Sequence, residues 1–191
     1  MNTTSSLLTL QALKSARVSL RPITPDDYNI LFLWHSDASS LHLWWPDRYI
    51  LSFDEFIDDL RKRIRTYIHH IMMVEYTQGN EKSVVGMVYN YNSNTVDRYT
   101  YLCVYLPPEY RAQQIGPEAG YLFAEYLFAY YGFRKIYAEI YAFNEPSLKV
   151  CRKNGFVEEG RLIAHRRFGD RYWDLHILAL TVDEFKKLPR P

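Results

Sequence analysis

The sequence predicts a mixed α/β fold of the α+β kind: one mostly antiparallel, twisted sheet of about six or seven strands, flanked by about four helices. Three observations carry this. Between residues 69 and 106, the stretches "HHIMMVEYT", "SVVGMVYNYN" and "RYTYLCVYL" are rich in β-branched and aromatic residues and are separated by the polar clusters "QGNEK" and "NSNTVD", the pattern of an antiparallel meander. Downstream, segments of helical and strand period alternate, as in "RKIYAEIYA" followed by "EPSLKVCRKN". The chain then closes on "FVEEGRLIAHRRF" and "RYWDLHILAL", read as a final hairpin.

The elements follow in order. "ARVSLRPIT" alternates apolar and polar residues up to Pro22, giving a first strand over about residues 17–21. Thr24 caps a helix over about residues 25–37, with Pro25 in its first turn and Asp26 and Asp27 where the helix dipole favours anions. "LHLWWPDRYI" reads as an irregular connection. Ser52 and Glu55 form a capping box for a second helix, whose apolar positions are Phe53, Phe56, Ile57, Leu60 and Ile64. Its basic end "RKRIR" is a solvated face that complements the dipole. After the meander, "PPEYRAQQIGPEAGYLFAEYLF" passes from a stiff extended segment through a polar loop into an apolar-periodic helix. A further helix ends at Gly155.

With 191 residues, 48% of them hydrophobic, the chain suffices for one domain. We assign residues 1–15 to an N-terminal arm and 16–187 to a single domain. A formal net charge of +1 gives no basis for a nucleic-acid or anionic-membrane partner. Cys103 and Cys151 are the two cysteines, too few for a disulfide framework or a four-cysteine zinc site, and the expectation is a cytoplasmic protein without a metal. No stretch approaches the roughly 20 apolar residues that span a bilayer. The 17 tyrosines suit half-exposed strands, where a ring packs while its hydroxyl reaches water or a ligand.

One stretch points to chemistry. Around residues 112–116 the N–H groups preceding the helix have no intrahelical acceptor, and Arg111 adds a positive charge beside them. Such a helix start suits a phosphate, or it is an ordinary loop whose amides bond water. Arg111, Gln114 and Gly116 also resemble the pyrophosphate motif of the GNAT superfamily of acyl-CoA-dependent N-acyltransferases, whose pattern is Arg or Gln, two residues, Gly, one residue, then Gly or Ala. "NEPSLKVCRKNGFVEEGRL" resembles a second family segment, matching at Asn144, Ser147, Lys153, Gly155 and Phe156. "GDRYWDLHILALTVDEF" is similar to the last hairpin of the branch holding ribosomal-protein and spermidine acetyltransferases.

The resemblance spans about residues 16–187 and implies a splayed parallel pair, "RYTYLCVYL" beside "RKIYAEIYA". The pantetheine of acetyl-CoA, or of another acyl-CoA, would enter between them and bond the backbone of Val104, Tyr105 and Leu106. Its pyrophosphate would lie on Arg111, Ala112, Gln113, Gln114, Ile115, Gly116 and Pro117, with Asn144 and Ser147 on the other side of the cleft. A neutral amine would attack the thioester directly.

Two departures from the family bear on this. Gln114 stands where a glycine is usual, which implies weaker CoA binding, a reshaped loop, or an amide contact to the anion. Cys151 stands where relatives carry a proton-donating Tyr; it is either the acid that protonates the departing thiolate or a small packed hydrophobe. Relatives often place a base on the strand before the phosphate loop, and this chain has only Asp97 at that strand's edge. Glu139 is the candidate base, acting through water, or else a surface carboxylate. His69 and His70 point to opposite faces of one strand.

For the amine, Trp44, Trp45, Asp47 and Tyr49, with Trp173 on the closing strand, offer cation–π and ion-pair contacts; alternatively the two tryptophans plug helices onto the sheet. The acceptor is a small molecule or a peptide amine. The alternatives are a longer acyl group, delivered by CoA or an acyl carrier protein, and a non-catalytic CoA-binding regulatory module. A homodimer is a further expectation.

Overall fold

The computed structural model describes residues 13–44, 50–64 and 68–191. Seven strands form one sheet: β1 (Val18–Pro22), β2 (Ile71–Gln78), β3 (Glu81–Asn94), β4 (Tyr99–Tyr105), β5 (Lys135–Tyr141), β6 (Val157–Phe168) and β7 (Arg171–Thr181). Their spatial order is β1-β2-β3-β4-β5-β7-β6. Every neighbouring pair is antiparallel except β4 with β5. The meander and the closing hairpin stand where the residue pattern put them.

The helices are α1 (Tyr28–Ser36), α2 (Ala38–Trp44), α3 (Phe53–Ile64), α4 (Ile115–Ala129), α5 (Glu145–Lys153) and α6 (Val182–Phe185), among the described residues, with a 3-10 turn (Pro25–Asp27) leading into α1. This exceeds the four expected by two short ones. Helix α2 replaces the first part of the irregular connection read from the sequence, because Asp37 supplies its start. The Asp37 carboxylate accepts from the Ser39 N–H at 3.0 Å and from the hydroxyls of Ser39 and Ser40 at 2.6 Å each, which satisfies an otherwise orphan donor. Helix α6 is fixed likewise by Thr181, whose Oγ1 accepts from the Glu184 N–H at 3.2 Å.

Asp27 does more than answer a helix dipole. It is 4% exposed, and Arg21 grips it with two bonds of 2.7 and 2.8 Å while reaching Glu75 at 2.9 Å. The guanidinium holds the Asp27 carboxyl below the usual carboxylate range. The start of the α1 segment is thereby fastened to β1 and β2. At α3 the capping box is present: the Ser52 N–H donates to Glu55 at 3.0 Å and the Glu55 N–H to Ser52 Oγ at 3.4 Å.

Strand alternation divides the interior in two. Val74 and Val88 turn to α4, joining Val18, Ile115, Leu122, Phe123, Leu127, Ile136 and Leu180. Met73 and Met87 turn the other way, to Leu31, Trp34, Phe56, Ile57 and Leu60 of α1 and α3. A smaller cluster of Ala138, Ile140, Leu148 and Leu178 seats α5. Helix α4 also buries Glu118, whose carboxylate is bound by Arg17 at 2.7 Å and by the Ser15 hydroxyl. The chain entering β1 is thus pinned to the first turn of α4.

Candidate active site

The parallel pair β4 and β5 is joined at only three positions, Tyr99 with Lys135, Thr100 with Ile136 and Tyr101 with Tyr137. Arg134 reinforces the joined end, its N–H donating to Arg98 O at 2.7 Å and its Nε to Asp97 O at 2.9 Å. Past Tyr101, β4 stays paired with β3 through Met87↔Tyr105, and β5 stays paired with β7 through Tyr141↔Leu175. The facing edges of Leu102–Tyr105 and Ala138–Tyr141 part. Backbone donors and acceptors seek partners, so the parted edges can take an extended chain with amide groups of its own.

Beyond β4 a 3-10 turn (Pro108–Tyr110) leads to the loop before α4. Ala112 and Gln114 have φ of +60° and +65°, and Gln114 is the N-cap of α4 without a side-chain capping bond. The left-handed backbone explains why a glycine is usual at position 114; Gln114 adopts that conformation despite its Cβ. Among the described residues, none accepts from the N–H groups of residues 112–116, the first such bond being Glu118 N–H to Gln114 O at 3.3 Å. These amides sit at the positive end of a 15-residue helix, where an anion is favoured. Gln114→Gly is expected to relieve about 1 kcal/mol of backbone strain, raising the melting temperature by about 2–4 °C. Thermal melts check this.

Two side chains of the loop fold back on it. Arg111 Nε donates to Leu106 O at 2.9 Å, and Gln113 Nε2 to Glu109 O at 2.8 Å. Arg111 thus occupies a carbonyl expected to serve pantetheine. A Cβ at Gly116 would lie 3.4 Å from Leu106 Cδ1, and one at Gly120 3.4 Å from Val104 Cγ2. The missing side chains let α4 lie close against β4, so bulk at Gly116 meets the strand.

Across the wedge, Asn144 caps α5, its Oδ1 accepting from the Ser147 N–H at 3.4 Å. Asn144→Ala is expected to cost about 1 kcal/mol and to raise KM for acetyl-CoA. A shift in melting temperature with unchanged kinetics would leave Asn144 purely structural. Cys151 packs with Leu148, Ala138, Ile140, Leu178 and Phe156. Burial pushes its thiol up to about 12, and Cys103 adds to this; burial likewise lifts Cys103 to about 11. A thiol so reluctant to ionise is a poor proton donor. Cys151→Ala is expected to cost about 1 kcal/mol of stability and to leave kcat unchanged, as melts and steady-state kinetics would report.

Glu139 is exposed on β5, on the face away from α4 and α5. Tyr91 on β3 donates its hydroxyl to Glu139 Oε2 at 3.1 Å. Around them Tyr101 and Tyr137 stack at 5.1 Å, and Tyr91 lies 5.3 Å from Tyr101. Farther along this face, His42 of α2 stacks on Phe168 at 4.3 Å, and Phe143 meets Phe168 at 4.6 Å and Trp173 at 5.7 Å. Helix α2 and the closing hairpin therefore meet beside the wedge.

Trp173 carries Arg171 over its ring at 3.6 Å and donates Nε1 to Phe168 O at 3.2 Å. Trp44 packs on Tyr105 at 4.8 Å, and its carbonyl accepts from the Tyr89 hydroxyl at 3.2 Å. These contacts support the plug. Trp45, Asp47 and Tyr49 lie outside the described residues. His69 accepts from the Ser93 N–H at 3.2 Å, and His70 packs on Tyr131 at 4.5 Å.

Sequence reasoning did not single out Tyr91, Tyr101, Tyr137, Phe143, Phe168 or His42. The signal was the period-two tyrosines of "YNY", "YTY" and "IYAEIY", which strand register gathers on one face.

Residues 17–157 match the sequence family described as the acetyltransferase (GNAT) domain. The chain belongs to the GNAT acetyltransferase family. It is an acyl-CoA-dependent N-acyltransferase with an amine acceptor. Among curated relatives, the spermidine N(1)-acetyltransferase of Vibrio cholerae is 23% identical over 171 residues, covering 90% of this chain and 96% of that protein. The spermidine N(1)-acetyltransferase of Escherichia coli K12 is 27% identical over 146 residues, 76% of each chain. Among solved structures, V. cholerae spermidine N-acetyltransferase in complex with CoA and spermine aligns with TM-score 0.82 and 21% identity, over 91% of this chain and 100% of that one. The GNAT fold, with its splayed strands, is the fold of this chain. No described helix is long and apolar enough to cross a membrane.

Proposed function

We propose that this GNAT enzyme transfers an acetyl group from acetyl-CoA to a primary amine by direct attack in a ternary complex. The observation that carries this is the continuity between the β4/β5 wedge and the unbonded amides of residues 112–116 at the start of α4. Pantetheine would lie along Val104, Tyr105 and Leu106, and the pyrophosphate on residues 111–117. Asn144 and Ser147 would flank the arm from α5. Arg111 would release the Leu106 carbonyl and turn its charge to the phosphates.

In the reaction the amine nitrogen bonds the thioester carbonyl carbon as the C–S bond breaks. One ammonium proton passes through water to Glu139 before attack; the second leaves the acylated nitrogen for the departing thiolate, which goes out as the CoA thiol. A backbone N–H on the open edge of β4 is the donor available to the carbonyl oxygen as it gains charge. The tyrosine face suits an alkylammonium before it loses its proton, and spermidine, the substrate in the relatives' names, leads the acceptors to be tested. The test is native mass spectrometry with acetyl-CoA, CoA and acyl carrier protein in competition, then turnover on spermidine, glucosamine and a peptide N-terminus. Retention of acetyl-CoA with acetylation of one amine is expected. Binding of the carrier protein alone, or of no donor, would sink the proposal. The same spectra report self-association, which the dodecameric V. cholerae neighbour and the exposed apolar Leu162 and Ile163 of edge strand β6 support.

A further inference from the structure

One hydrogen bond crosses the throat of the wedge, and neither packing nor sheet pairing requires it. Tyr91 belongs to β3 and Glu139 to β5, two strands away, with β4 between them. In register Tyr91 stands beside Tyr101, and Tyr101 beside Tyr137. Glu139 is the next residue on that face after Tyr137, so it is the first side chain there beyond the last paired position. The Tyr91 hydroxyl reaches across Tyr101 to meet Glu139 Oε2 at 3.1 Å. An exposed glutamate on a strand samples many rotamers; this one is tethered where β4 and β5 begin to part.

We propose that Tyr91 is a positioning residue that holds the Glu139 carboxylate at the throat of the wedge to receive the proton of the attacking amine. The inference rests on the reading of Glu139 as the base. The phenol makes a durable donor: burial first, and the charge of Glu139 second, raise Tyr91 far above the ordinary tyrosine value, so it stays neutral across the working range.

The groups that face Glu139 among the described residues are few. Tyr91 comes from β3, Tyr101 and Cys103 from β4, and Tyr137 and Tyr141 from β5. Strand β7 presents Ala179, Ile177 and Leu175 opposite Tyr137, Glu139 and Tyr141. From β6, Arg166 lies over the Tyr141 ring at 5.0 Å. From α2, His42 is stacked on Phe168. Of these, Tyr91 is the one that bonds the carboxylate.

The test compares wild type, Tyr91→Phe, Glu139→Gln and the double variant, with acetyl-CoA and spermidine, or with whichever amine of the panel above is turned over. Values of kcat are recorded together with KM for acetyl-CoA and the melting temperature. Tyr91→Phe is expected to lower kcat about tenfold. KM for acetyl-CoA is expected to hold. In a Glu139→Gln background, Tyr91→Phe is expected to add little, because a positioning residue has nothing left to position. Wild-type kcat in Tyr91→Phe, beside a slow Glu139→Gln, would overturn the role of Tyr91 while sparing that of Glu139. Equal and additive losses in both backgrounds would also overturn it, by placing Tyr91 elsewhere in the reaction. Full turnover in Glu139→Gln would remove the base and this inference together.

Discussion

Glu139→Gln is expected to reduce kcat by about 10²- to 10⁴-fold, with acetyl-CoA affinity and melting temperature close to wild type. The amide keeps the side chain's shape and an oxygen that accepts from the Tyr91 hydroxyl, so the tyrosine face stays assembled. What it loses is basicity. An alkylamine is mostly protonated near neutral pH, and attack needs its neutral form; with no carboxylate to take the proton, turnover should depend on the small neutral fraction. The residual rate of Glu139→Gln should therefore climb steadily with pH where wild type levels off. Stopped-flow or steady-state assays across pH with one amine and saturating acetyl-CoA would show this. A variant as fast as wild type at neutral pH would assign the proton to water alone.

Gly86→Ala is expected to be the most damaging single methyl in the protein. Gly86 lies on β3 against the end of β4, and a Cβ there would stand 2.3 Å from Tyr105 O and 2.5 Å from Leu106 Cδ2. The side-chain contact can rotate away, but the backbone carbonyl cannot without moving the strand end. Overpacking of this kind costs about 1–3 kcal/mol, or about 2–12 °C of melting temperature for a chain of this size. The displaced segment, Tyr105 and Leu106, is the edge that pantetheine would follow, so acetyl-CoA affinity should fall as well. Gly160→Ala on β6 is the control, since its Cβ would make an ordinary 3.8 Å contact with Ile177. Titration calorimetry and thermal melts on both variants decide it; a Gly86→Ala protein with wild-type stability and affinity would refute the steric argument.

Much of the fold was legible because period and punctuation agreed. The meander declared itself through β-branched and aromatic runs between polar turns, and α3 through Ser52 and Glu55. Helix α2 was hidden because its start depends on the Asp37 side chain reaching Ser39 and Ser40, while "LHLWW" has no helical punctuation of its own. The loop before α4 was visible as a motif, yet the reason for its odd residue was not: only the backbone shows that Gln114 occupies a left-handed conformation. The tyrosine face was least legible. It gathers Tyr91, Tyr101 and Tyr137 from three strands, and no spacing along the chain encodes which strands become neighbours. Asp27 shows the same limit, since its partner Arg21 belongs to a different element.

The strand order also bears on how the protein is made. From β1 to β5 each strand lies beside the one synthesised before it, so a chain leaving the ribosome can pair each strand as it emerges. The closing hairpin departs from this rule: β7 must seat against β5 and carry β6 to the outer edge. One wall of the wedge, with Tyr91 and Tyr101, is thus translated before Glu139 exists, and the opposite wall is secured only when the last strand docks. Nascent chains halted before β7 would carry residues 111–117 and yet lack the strand that supports β5, so the wedge is finished later than the loop beside it.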